Sequence, residues 1–164
     1  MNMEVINLLF DYNCWANRRI LNAAEKLTVE QYTRVLPGLS MGSVRATLVH
    51  MLAADHIWRM RCFAGQSPTD LLREDDLPEF EALRAFWAGE EEAMRAGLAQ
   101  LTDETLAGRL AYHTTNGKPM EETLWHLLVH LVNHGTQHRA EAAVALTAFD
   151  HSPGDVDMII YLRS

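Results

Sequence analysis

Four long stretches of this chain set apolar residues at steps of three and four, and little of the sequence alternates at a step of two. That period belongs to one face of an α-helix, so the chain must bury helix against helix rather than sheet against sheet. The first stretch runs from about Met3 to Leu27, with Val5, Leu9, Tyr12, Ala16, Ile20, Ala23 and Leu27 in step on one face. The second runs from about Ser43 to Ala64 with Val44, Leu48, Met51, Leu52 and Ile57 in its stripe, and Gly65 is placed to stop it. The third opens at Pro78, a residue suited to the first helical position, and continues to about Gln100. The fourth runs from about Glu121 to Ala148.

The connections have their own signals. Thr28 and Gln31 form a capping-box pattern for a short helical turn, and Thr102 caps another. Pro37-Gly38 and Met41-Gly42-Ser43 read as loop, and residues 66–77 as a polar connection. Residues 109–120 differ, because Asn116-Gly117 is a strong hairpin-turn signal and predicts a small β-ribbon. The apolar tail from Met158 to Leu162 is expected to pack on the body. The expected fold is all-α: an antiparallel four-helix bundle with short connecting helices and a small β-hairpin before the last long helix. At 164 residues it is expected to be a single domain spanning 1–164.

Composition narrows the partners. Hydrophobic residues at 48% and charged residues at 22% exclude a largely disordered chain. The 14 Lys and Arg against 22 Asp and Glu give a formal charge of −8, which repels nucleic-acid phosphates and anionic membranes. Cys14 and Cys62 form no CxxC pattern and read as free thiols of a reducing compartment. An acid stands in Met1-Asn2-Met3-Glu4 where a signal peptide carries base, and no apolar run reaches membrane-spanning length, so a cytoplasmic setting is expected. Trp15, Trp58, Trp87 and Trp125 read as core or interface, and Glu90-Glu91-Glu92 as a solvated face.

The fourth stretch carries the chemistry. His126, His130, His134 and His138 recur every four residues. A step of four turns a helix by about 400°, so adjacent members stack on one face with about 40° of drift. Adjacent pairs can share one ion, but the whole series spans about 18 Å of axis and cannot. Leu127, Leu128, Val129, Leu131 and Val132 surround the series, so the imidazoles are expected to face a largely buried space, where a metal supplies the partner that a buried polar group needs. A hydrogen-bonded core histidine is the simpler reading of any one of them. A ligand from a second element is also required. His50, inside Leu48-Val49-His50-Met51-Leu52, is the best placed; His56, which Asp55 can simply solvate, is its competitor. No HExxH, no Glu-x-x-His, no Walker loop and no GxGxxG occurs. What remains is an all-nitrogen site in a bundle.

These residues also carry a resemblance. Asn133-His134-Gly135-Thr136-Gln137-His138-Arg139 resembles the NHxxxHR signature of the DinB family. Tyr12-Asn13-Cys14-Trp15-Ala16-Asn17 is similar to that family's first-helix YxxWAN, and Ser43 to Gly65 to its second helix. The closing Ser152-Pro153-Gly154-Asp155 to Tyr161-Leu162-Arg163 fits as well, so the likeness covers nearly the whole chain. The resemblance implies a four-helix bundle, often a homodimer, holding one divalent metal ion (Zn, Ni, Fe or Mn not distinguished) on His50, His134 and His138. It leaves His130 as a pocket residue one turn earlier, with His126 outside the site. Many members read His-His-Arg-Gly-Gln where this chain reads Gln137-His138-Arg139-Ala140-Glu141. The third ligand is kept, while Glu141 replaces a neutral amide beside it. Arg139 either orients a substrate carboxylate or plays a structural part by pairing with an acid.

Three neutral histidines leave coordination positions open, as in catalytic rather than structural zinc sites. The family includes thiol-dependent transferases and isomerases. The leading expectation is therefore a metal-dependent thiol S-transferase acting on a small molecule, with a low-molecular-weight thiol as cosubstrate. A water-activating hydrolase with Glu141 as base, or a non-catalytic metal-binding stress-response module, is the alternative. The family's name concerns induction by DNA damage and not contact with DNA.

Overall fold

The computed structural model describes residues 1–164. Seven α-helices and one two-stranded sheet follow in the order α1 (Met3–Ala24), α2 (Val29–Thr33), α3 (Val44–Phe63), α4 (Phe80–Leu98), α5 (Asp103–Leu106), β1 (Arg109–His113), β2 (Pro119–Thr123), α6 (Leu124–Ala148) and α7 (Met158–Tyr161). The helix starts obey local chemistry. Asn2 and Ser43 each accept a hydrogen bond from a first-turn amide, Val5 and Ala46. The predicted capping box at Thr28 and Gln31 forms in both directions. Thr102 caps α5.

The four long helices α1, α3, α4 and α6 make the bundle. Pairs of contacts give their directions. Asp11 meets Arg95 while Glu25 meets Arg84, so α1 and α4 are antiparallel. His50 meets His134 while Trp58 meets His130, so α3 and α6 are antiparallel. His56 meets Glu90 while Phe63 lies against Gly97, so α3 and α4 run the same way. The order is thus up-down-down-up. The connection over residues 64–79, with a short 3-10 turn at Glu74–Asp76, is long enough to carry the chain back along the bundle.

Two apolar clusters fill the interior, one toward each end. Ile20, Leu48, Leu52, Leu83, Trp87 and Leu146 anchor the first. Ile6, Phe10, Leu106, Leu128 and Leu131 anchor the second. A polar layer crosses the bundle between them. Arg139 is 1% exposed and donates to Asn13 and Asn17 of α1 and to Thr136 of its own helix. Its guanidinium also lies 5.5 Å from the centre of the Tyr12 ring. Glu90, only 8% exposed, accepts from Arg59 and meets His56 at 2.9 Å. Asp55 lines a cavity of about 20 Å³ with Asn13, Asn17, Cys14 and Glu90. That is room for about one water molecule. Burial pushes the Asp55 carboxyl up to about 7, against the pull of Arg139.

Several local expectations shift. Helix α1 ends at Ala24, and Val5 is 40% exposed. Ile6, Phe10, Asn13, Cys14 and Asn17 point inward instead, because α4 and α6 flank α1 and widen its buried arc. Helix α4 starts at Phe80, after Pro78. Helix α6 starts at Leu124, because residues 119–123 pair with β1 in the register Arg109↔Thr123 to His113↔Pro119. Asn116-Gly117 sits in that hairpin's turn, where Gly117 takes φ +80°. Glu90 is not solvated, since Arg59 and His56 draw it in. The tail packs in part: Tyr161 lies 5.6 Å from Trp15 and 6.0 Å from Tyr12 between ring centres, whereas Ile159 and Leu162 stay exposed. No helix is long and apolar enough to cross a membrane.

Two outcomes follow from the polar layer. A Cβ at Gly135 would meet the Arg139 guanidinium at 2.8 Å and the Asn13 carbonyl oxygen at 2.9 Å. Gly135→Ala is therefore expected to lower stability by about 1–2 kcal/mol in urea unfolding, although alanine is the better helix former. For Asp55, the folded state holds its proton at pH values where the unfolded chain has lost it. Its contribution to stability thus declines as pH rises from about 4 to about 7. Asp55→Asn is expected to raise the urea midpoint at pH 8 and to change it little at pH 4.

Candidate metal centre

Helix α3 supplies His50 and helix α6 supplies His134 and His138. The two α6 residues are one turn apart on the face turned to α3. Because α3 and α6 are antiparallel neighbours, His50 is brought against both. Its Nε2 lies 3.1 Å from Nε2 of His134, and the three ring centres are 4.5–5.0 Å apart. One ligand atom from each residue lies within 4.8 Å of the other two. Two nitrogens bound at 2.0–2.1 Å to a tetrahedral ion stand about 3.3–3.4 Å apart, so the His50–His134 spacing suits a shared ion with little adjustment. His56 does not compete, since it faces Glu90 rather than Asp55 or the cluster.

The electrostatics agree with the geometry. Burial, and then the neighbouring imidazoles, hold His50 below the usual histidine range and push His134 down to about 4. Both rings are neutral near pH 7, the form that ligates a metal. His138 is 4% exposed, and its Nδ1 is buried without a hydrogen-bond partner. The Glu141 carboxylate stands 3.6 Å from that nitrogen, just beyond hydrogen-bond reach. Ser40 holds the same carboxylate through its hydroxyl at 2.6 Å and its amide at 3.2 Å. Those bonds keep Glu141 ionised below the usual carboxylate range. Glu141 thus ties the loop before α3 to the back of His138. No fourth side chain joins the cluster.

The open side of the cluster faces a cavity of about 290 Å³, walled by His50, His134, His130, Trp58 and Arg61 and roofed by Leu71 and the hairpin residues Thr114 and Thr115. A larger groove of about 640 Å³ lies on the far side of α6, between α1 and the tail, and contains none of the histidines. His130 stands in the cavity wall, 5.6 Å from the Trp58 ring, outside the ligand set. It is largely exposed, as is His126, which pairs with Glu122 at 2.9 Å outside the site. The expected burial therefore holds only at the His138 end, because His126 and His130 lie on the outward face of α6 while Leu124, Leu127, Leu128 and Leu131 turn into the core. Arg139 meets no carboxylate and does not reach Glu141; amide oxygens hold it instead.

Both thiols are protonated, since burial pushes Cys14 and Cys62 up to about 12. The sequence assigns no site role to Ser40, Arg61 or Tyr112, and Trp58, which reads as core or interface, lines the cavity instead. Only the two in α3 left a trace: from His50, steps of eight and eleven bring Trp58 and Arg61 near the same face.

In the metal-free protein the neutral, crowded histidines oppose acid. Unfolding lets His134 bind a proton between about pH 6.5 and 4 that the folded state refuses. Stability is therefore expected to fall as pH drops through that window, and His134→Gln should flatten this part of a urea-midpoint profile.

Comparison with known proteins accords with these observations. The chain is 27% identical over 161 residues to "Protein DinB" of Bacillus subtilis (strain 168), covering 94% of this chain and 91% of that protein. The sequence model of the DinB family matches residues 1–164. With the signature histidines gathered at one point of a helical bundle, the chain belongs to the DinB family.

Proposed function

We propose that this protein is a divalent-metal enzyme of the thiol S-transferase type, with His50, His134 and His138 as the ligands. The observation that carries the reading is the three-nitrogen cluster with no fourth protein ligand, opening onto a cavity sized for a small molecule. An ion held there supplies an electrophilic centre with open positions, which lowers the pKa of a thiol or water that reaches it.

The chain's own residues do the rest. His50 and His134 stay neutral and so keep their lone pairs available. Glu141, fixed by Ser40, backs His138 and limits how its ring can turn. Leu71, Thr114 and Thr115 complete the cavity lining around a bound small molecule. Neither cysteine serves as nucleophile, because both are protonated, so the thiol is supplied by a cosubstrate. The hydrolase reading is weaker, since its candidate base, Glu141, is engaged by Ser40 and lies behind the His138 ring. The charge of −8 supports a small-molecule substrate over nucleic acid.

The reading is tested first by metal content, measured by mass spectrometry on untagged protein. About one ion per chain is expected in the wild type and almost none in His134→Ala. Saturating metal at 100 times its Kd should add about 2.7 kcal/mol to the unfolding free energy of the wild type alone. In the cobalt-substituted protein, a low-molecular-weight thiol should shift the visible spectrum. An unchanged spectrum with cobalt bound would leave the metal site standing and remove the thiol chemistry. Turnover of simple esters without thiol would favour the hydrolase.

A further inference from the structure

Two arginines are buried in this molecule, and they are treated very differently. Arg139 is clasped by Asn13, Asn17 and Thr136. Arg61 is 6% exposed, forms no hydrogen bond and has no carboxylate within 4.0 Å. Its guanidinium is held only by rings, 4.7 Å from the centre of Trp58 and 5.2 Å from that of Tyr112. A guanidinium carries five donors, and burying a cation without an acceptor is costly. Stacking on aromatic faces offsets part of that cost and leaves the donors in the ring plane free. In a chain with 22 acidic residues, the lack of any acid beside this cation is informative.

Arg61 lines the same cavity as His50, His130 and His134. It follows His50 by eleven residues of α3, which is three turns plus about 20° and about 16 Å along the axis. The two residues therefore stand on one wall, at opposite ends, with Trp58 and His130 between them.

We propose that Arg61 is the binding residue for an oxyanion on the substrate or cosubstrate. The ligand class is an elongated small molecule with a carboxylate or phosphate at one end and its reacting group several bonds away. The planar fork of Arg61 matches either oxyanion in a bidentate manner, and its carbon lies 4.7 Å from the Trp58 ring centre and 5.2 Å from that of Tyr112. The inference rests on the proposed metal reading only for which end of the ligand reacts; the anion site stands on Arg61 itself.

The test separates the two. Metal-free protein at pH 8 is titrated by calorimetry with glutarate, with propyl phosphate and with uncharged glutaramide. At least one anion is expected to bind tenfold or more tighter than glutaramide, and which one does so identifies the headgroup. Arg61→Met should abolish the preference, and Arg61→Lys, which keeps the charge and loses the fork, should reduce it at least threefold. Arg61→Met is also expected to melt at the same or a higher temperature, because it removes an unpaired buried charge. Equal binding of the anions and glutaramide by the wild type would overturn the proposal, as would an unchanged preference in both variants. A second titration uses cobalt-loaded protein with thiols that carry the headgroup so identified and with mercaptoalcohols of matched length. Failure to load cobalt would defeat the metal reading and leave the first result intact. Loading with no preference for the thiols that carry the headgroup would place the anion site out of reach of the metal and defeat the elongated ligand that joins the two.

Discussion

The fold turns on one buried guanidinium. Arg139 sits in the middle of the bundle and is satisfied by amide oxygens of α1 rather than by a counter-charge. Hydrogen bonds from a charged donor are worth about 1.5–3 kcal/mol each, and a buried cation without them is strongly unfavourable. The arrangement therefore works only at one rotation and one height of α6 against α1. Gly135 makes that height possible, since a Cβ there would take the space of the Arg139 guanidinium and the Asn13 side-chain oxygen. His138 precedes Arg139 in sequence, so whatever fixes the arginine also fixes the direction of the histidine. The same contact joins Asn13 and Asn17 of the first-helix motif to the signature on α6.

A polar layer between two apolar clusters is an expensive way to build a bundle, and it has a return in precision. Apolar surfaces slide past one another at little cost, whereas hydrogen-bonded groups have one register. Arg139 sets α6 against α1, and Glu90 with Arg59 and His56 sets α4 against α3. The histidine cluster lies at the level where these constraints meet. Its geometry is held from both sides without any ligand having to bear the strain.

Much of this was legible in the residues. The four apolar stripes foretold the helices, and Asn116-Gly117 foretold the hairpin. The spacing of His134 and His138, with the family resemblance, pointed to the cluster with His50. What escaped was long-range. The start of α6 went to the sheet because strand pairing with residues 109–113 outweighed a local helical pattern. Glu90 read as solvent-facing because its partners lie on another helix, more than thirty positions away. Arg61 drew no notice because nothing in sequence marks a cation that lacks a partner. That property exists only once the surroundings are assembled.

The cavity's walls and roof come from different parts of the chain. The walls are α3 and α6, locked into the polar layer. The roof is the hairpin tip and the 64–79 connection, joined where the His113 amide donates to Ser67 at 3.0 Å. Neither roof segment contributes to the layer that fixes the histidines. Exchanges at Leu71, Thr114 or Thr115 would reshape the entrance without touching the three histidines. The cluster and its cover thus come from separate stretches of the chain, and the cover is tied to the body chiefly by Leu72 and Leu77.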